Sequence, residues 1–216
     1  PEAKALLERA FAAQGGLEKV AQIRDIYTKA RGSVFRGDRE VQREEETWIK
    51  LPNKVKATLK SPGLDVLLVY DGSRVWAQIG GQVRDMTAQL LAPVRESIEF
   101  DTLLFLWNIA REGYRFEVIG KDHVEGQEVQ ILRMTNEQGK SADFYIDRER
   151  AVPLKIVTLD EEGKQAEKLL GDYRQVEGFW IPFSHKTLAD KELVSSLAII
   201  EFKINTGVGD EQFEKP

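Results

Sequence analysis

The sequence predicts a mostly β protein with helices (α+β), an antiparallel sheet curved over a helical plug, and three observations carry that prediction. From Ile26 onward apolar residues fall into short runs of period two, separated by Gly-containing turns at about ten-residue spacing, which is the pattern of an antiparallel meander. One stretch near the middle, residues 88–110, reads as helix instead. The chain has 216 residues, 42% of them apolar, which suits one domain spanning 1–216 with a sizeable core.

The first elements are helical. Ala3, Leu6, Leu7, Ala10 and Phe11 recur at helical spacing, Gly15-Gly16 stops the run, and residues 17–23 read as a short second helix. Arg36-Gly37-Asp38 follows Val34-Phe35 at a natural hairpin position, so a Gly-Asp turn accounts for a tripeptide that otherwise invites an integrin-adhesion reading. The next strand carries Arg43, Glu44, Glu45 and Glu46 before Trp48 and Ile49; charge on both faces suits an exposed or edge strand. Residues 54–60 alternate cleanly, with Val55, Ala57 and Leu59 on one face and Lys54, Lys56 and Lys60 on the other. With Lys50 in the same parity, the wet face is a basic stripe. An ordinary solvated sheet face explains it, and it could also meet anionic headgroups or an acidic partner. Residues 64–70 are apolar on both parities, as a strand covered on both sides would be. Asp71-Gly72 then signals a hairpin into Val75, Trp76, Ala77 and Ile79, and Gly80-Gly81 turns the chain again.

In the central stretch Leu90, Leu91 and Val94 mark a short helical piece that Pro93 starts or kinks. Asp101 is placed to cap a second helix, in which Leu103, Leu104, Phe105, Leu106, Trp107, Ile109 and Ala110 leave almost no polar face. A helix apolar all round must be enclosed. At about ten residues, roughly 15 Å, it is too short to span a membrane. Both pieces are expected to plug one open side of the sheet. Strands resume at residues 114–119, 129–135, 142–146, 154–159, 165–173, 183–189 and 193–204, giving ten or eleven in all.

The search for chemistry returns mostly exclusions. A net charge of −5 and a pI near 5.3 lack the basic footprint that nucleic acid requires. There is no Cys, hence neither a disulfide framework nor a thiolate metal site. No Gly-x-Ser-x-Gly elbow, phosphate-cradling Gly-rich loop or His-Glu-x-x-His is present. Of the two histidines, His123 falls in a turn and His185 on a strand with Phe183 and Thr187, and surface or structural roles suit both. No catalytic residue, cofactor or metal is expected. The chain opens on Pro1 without an apolar signal stretch, as a mature form trimmed of its export signal, or of a lipid-anchor Cys, would.

Several local patterns, taken in order, resemble a family. They are Gly15-Gly16-Leu17-Glu18-Lys19-Val20, Asp71-Gly72 before Val75-Trp76, and Val118-Ile119-Gly120 before Val124-Glu125-Gly126. Phe144-Tyr145-Ile146-Asp147 follows, then Tyr173-Arg174-Gln175-Val176-Glu177-Gly178-Phe179-Trp180-Ile181-Pro182-Phe183. Lys203-Ile204-Asn205-Thr206-Gly207-Val208, with Phe213 and Pro216, completes the set. Together they resemble the LolA-like superfamily of outer-membrane lipoprotein-sorting proteins, in its less characterised branch. Each motif is mostly turn chemistry plus a core aromatic; their order carries the resemblance over nearly the whole chain.

The resemblance implies an incomplete antiparallel β-barrel of about eleven strands wrapped over plug helices. Between sheet and helices it implies an apolar cavity holding the acyl part of a lipoprotein or lipid. The expected function is a non-enzymatic periplasmic carrier or binding protein, with a periplasmic sensor or protein-interaction domain as the alternative. Related folds serve both, so fold alone does not choose. The cavity lining is expected from Leu59, Leu68, Trp76, Leu90, Leu103, Phe105, Leu106 and Trp107, although burial in a plain core explains such residues equally well. Expected partners are acyl chains and a membrane or membrane-protein donor and acceptor; the chain is expected to be monomeric, periplasmic and associated with the outer membrane.

Overall fold

The computed structural model describes residues 1–86, 94–95, 98–111, 113–159 and 163–216. Leu90, Leu91 and Pro93 of the expected helical piece lie outside them. The chain is organised as two compact units, residues 1–22 with 102–196, and residues 23–101 with 197–216.

The second unit is a meander. Strands β1 (Asp25–Arg36), β2 (Arg39–Lys50), β3 (Lys54–Ser61), β4 (Leu64–Tyr70), β5 (Val75–Ile79) and β6 (Gln82–Asp85) pair antiparallel, each with the next. Tight turns join them, as at Gly37, whose φ of 58° a side chain would resist. β2 corrects the edge-strand expectation, since it is paired on both sides and its charges are matched across the ladder. Across it Lys29 Nζ donates to Glu46 at 2.7 Å and Arg31 Nε to Glu44 at 2.6 Å, while along β2 itself Arg43 pairs with Glu45 at 3.3 Å. The Arg31 and Lys29 hydrogen bonds hold the Glu44 carboxyl below its ordinary pKa.

The first unit places helices α1 (Glu2–Ala13), α2 (Leu17–Ala21) and α3 (Leu104–Ile109) with strands β7 (Arg115–Val124), β8 (Gln127–Thr135), β9 (Ser141–Asp147), β10 (Pro153–Leu159), β11 (Gln165–Val176) and β12 (Phe179–Ala189). α3 is six residues long, shorter than expected, and its N-cap is Leu103 rather than Asp101. The Asp101 N–H donates back to Ile98 O at 3.5 Å, closing an earlier turn. Enclosure holds as predicted: residues 103–108 are all buried, and the Phe105 ring stacks on Phe144 of β9 at 4.4 Å. α1 is tied to β12 through Gln14, whose amide donates to Trp180 O at 3.2 Å and accepts from Trp180 N at 2.7 Å.

β13 (Glu192–Ile204) starts in the first unit and ends in the second, and the sheet order is β6-β5-β4-β3-β2-β1-β13-β12-β11-β10-β9-β8-β7. The result is one unclosed antiparallel sheet of thirteen strands, two or three more than the ten or eleven the sequence suggested. β6 escaped because Gln82–Asp85 is four residues with little apolar alternation. Asp25 locks the start of β1 to the chain after β13. Its carboxylate is buried and accepts from Thr206 N at 2.7 Å, Thr206 Oγ1 at 2.6 Å and Gly207 N at 3.0 Å.

Candidate functional site

Residues directly opposite in an antiparallel ladder project from the same face, so register sorts the second unit into faces. One face consists of three rows. Ile26, Ile49, Val55, Tyr70 and Val75 form the first; Thr28, Thr47, Ala57, Leu68 and Ala77 the second; Ala30, Glu45, Leu59, Val66 and Ile79 the third. The first row is buried apart from half-buried Ile49. Ala30 and Ala77 stay buried, but elsewhere burial falls away: Ala57, Leu59, Val66 and Leu68 are half-buried and Ile79 is 46% exposed. An apolar surface three strands wide is thus left partly open across β3, β4 and β5. Arg43 and Glu45 border it, and Arg43 Nε is buried without a hydrogen-bond partner.

The opposite face is covered by the C-terminal segment. Trp48, Lys56, Val69 and Trp76 lie in one row, and Phe213, 1% exposed, packs on Val69 and Trp76 with Trp48, Leu67, Val83 and Val208 around it. The flanking polar groups latch the segment down. Asp210, in the 3-10 turn Asp210–Phe213, takes Lys54 at 2.7 Å and Lys50 at 3.1 Å, while Lys56 Nζ donates to Gln212 at 2.8 Å. Hydrogen bonds from Lys54 and then Lys50 hold the Asp210 carboxyl below its ordinary pKa. Three lysines of the basic stripe are therefore matched within the chain.

These faces separate the residues that sequence reasoning grouped together. Leu59 and Leu68 share the partly open face of the second unit; Trp76 points from the other side of the same sheet, under Phe213. Leu103, Phe105, Leu106 and Trp107 are buried in the first unit, where Arg111 covers the Trp107 ring at 4.4 Å. Leu90 lies outside the described residues. Val66 and Ile79 were missed as companions of Leu59: β4 is apolar on both parities, and only cross-strand register shows which parity faces which way.

Nothing in this geometry assembles a metal centre among the described residues. No cluster of three or more His, Asp or Glu is placed to hold a metal ion. His185 is half-buried on β12, and burial, with the nearby Lys168 charge, pushes its pKa down to about 3. No described helix is long and apolar enough to cross a membrane.

The fold is LolA-like, as the ordered motifs suggested. A LolA superfamily protein from Nitrosomonas europaea superposes with a TM-score of 0.65 at 13% identity, covering 99% of this chain and 97% of that one. A DUF1329 family protein from Desulfovibrio piger gives 0.65 at 16% identity over 98% and 97%. An outer membrane lipoprotein-sorting protein domain from Vibrio parahaemolyticus gives 0.63 at 15% identity over 99% and 97%. No protein-family model matches the chain, and no curated protein matches it in sequence.

Proposed function

We propose that this protein is a non-enzymatic periplasmic binding or carrier protein that holds the acyl part of a lipoprotein or lipid against the open apolar face of β3, β4 and β5. The observation that carries the reading is the graded burial on that face, from a closed row at Val55, Tyr70 and Val75 to an open one at Leu59, Val66 and Ile79. Apolar side chains in register, left half-covered, suit a hydrocarbon guest better than water. The name of the Vibrio neighbour, a lipoprotein-sorting domain, points the same way. Burying about twelve methylenes contributes roughly 10 kcal/mol before immobilisation of the guest reduces it. Micromolar affinity then needs no polar anchor. Arg43 and Glu45 set the polar limit of the site, and the donor and acceptor are a membrane or membrane proteins.

Titration with a fluorescent fatty acid tests the reading. Leu59→Glu and Leu68→Arg, each shown to fold by near-ultraviolet circular dichroism, should abolish binding, whereas Leu193→Glu, on an exposed site of β13, should not. A wild type that binds no acyl probe and purifies free of lipid sinks the carrier reading and leaves a sensor or protein-interaction domain in its place.

A further inference from the structure

In the first unit, β11 carries a glycine where the backbone asks for none. Gly171 stands opposite Ser184 in the β11–β12 ladder, outside the left-handed region, and a Cβ built on it would meet only Ser184 Cβ, at an ordinary 3.9 Å. A glycine inside a strand weakens it and marks a place where something else comes close. Here the missing bulk opens a cavity of about 340 Å³, bounded by Leu169 and Lys186 on one side and Tyr173 on the other. The following residue, Asp172, is held at a φ of 50°, local strain in mid-strand beside the opening.

The floor of the cavity is apolar and fixed. Leu154 and Val124 are buried there, with Leu169 and Tyr173 packed against their cluster. The Tyr173 hydroxyl donates to Pro153 O, which orients the ring, and the Arg150 guanidinium lies 5.8 Å over it. The rim holds four charges, two of them already matched. Arg150 pairs with Asp147 at 3.5 Å, and Asp172 is held by Arg174 at 2.6 Å. Lys186 and Glu125 have no ion-pair partner among the described residues. One cation and one anion therefore stand unmatched over an apolar floor, in a volume at the small end of the range for small-molecule sites.

We propose that this cavity binds a zwitterionic small molecule with an apolar side chain, a free amino acid or a dipeptide. Its carboxylate meets Lys186, its ammonium meets Glu125, and its side chain lies on Leu154, Leu169 and Tyr173. This is independent of the acyl site, which lies in the other unit.

Calorimetric titration of the whole chain with L-leucine and leucyl-leucine, beside N-acetyl-leucine and leucinamide, is the test. Both zwitterions should bind, and each singly charged analogue should bind roughly twofold to fivefold more weakly, as loss of one exposed ion pair predicts. Lys186→Gln and Glu125→Gln should erase that preference without changing the unfolding temperature. Gly171→Val should fill the cavity and weaken binding by about tenfold or more while leaving the strand intact, with Gly171→Ala as the milder variant. The proposal is overturned if the wild type binds no zwitterion, if the analogues bind equally well, or if Gly171→Val and Gly171→Ala bind as the wild type does.

Discussion

His185 illustrates how one residue reports its surroundings. It lies opposite buried Leu170, and its Nε2 donates to Pro182 O at 3.2 Å. With a pKa of about 3 when folded against 6.5 when unfolded, the ring binds its proton more readily in the unfolded chain. Stability from this group is complete above the unfolded value and is lost as pH falls toward the folded one; between pH 7 and pH 5 the loss is up to about 2 kcal/mol. His185→Gln should flatten that part of the stability curve in urea titrations, and an unchanged slope would count against a ring held neutral by the fold. Asp25 works through hydrogen bonds instead. Removing its carboxylate in Asp25→Ala strands three donors and should destabilise by about 2 to 4 kcal/mol, read from the same titrations.

At the scale of elements, Phe105→Ala should cost about 3 to 5 kcal/mol if its buried ring, stacked on Phe144, is core. A loss under about 1 kcal/mol in denaturant unfolding would move it from core to cavity lining. The C-terminal latch makes a second prediction. Removing residues 212–216 takes away Phe213 and the Gln212 and Lys215 contacts, so amide exchange in β3 to β5 should quicken and Trp76 should become accessible to quenchers. Unchanged exchange would deny the segment any holding role. These elements also show what the sequence made legible. Period-two alternation at residues 54–60, and the all-round apolar face of residues 103–107, could be read directly because each depends on neighbours in sequence. The interior position of β2 could not: Glu44 and Glu46 look solvated until β1 supplies Lys29 and Arg31 across the ladder. Trp76 misled for the same reason, its cover being Phe213, far along the chain.

For the whole molecule, the antiparallel class was legible because turn spacing and strand period are local, whereas the unclosed sheet was expected only through the family resemblance of the ordered motifs. The pairing of β1 with β13 was not, since nothing in either strand names its partner. That pairing makes a truncation informative. A chain ending at residue 196 leaves β1 without its β13 neighbour and Asp25 without Thr206 and Gly207. Amide protection in β1 should collapse, while that in β8 and β9 should persist. Protection retained in β1 would mean that the β1–β2 hairpin is stable unaided.

The same seam governs the order in which this protein can be finished. Both units are discontinuous in sequence, and the second, begun at residue 23, is completed only by residues 197–216. A chain that emerges amino end first, from a ribosome or through a translocation pore, must therefore hold β1 to β6 waiting through more than a hundred later residues. During that wait β1 offers an unpaired edge, the feature that invites pairing with the wrong strand. Closing contacts so distant in sequence is slow. Successful maturation thus turns on the arrival of the last strand, and whatever shields β1 until then, a holding chaperone or dilution, sets the yield of folded protein.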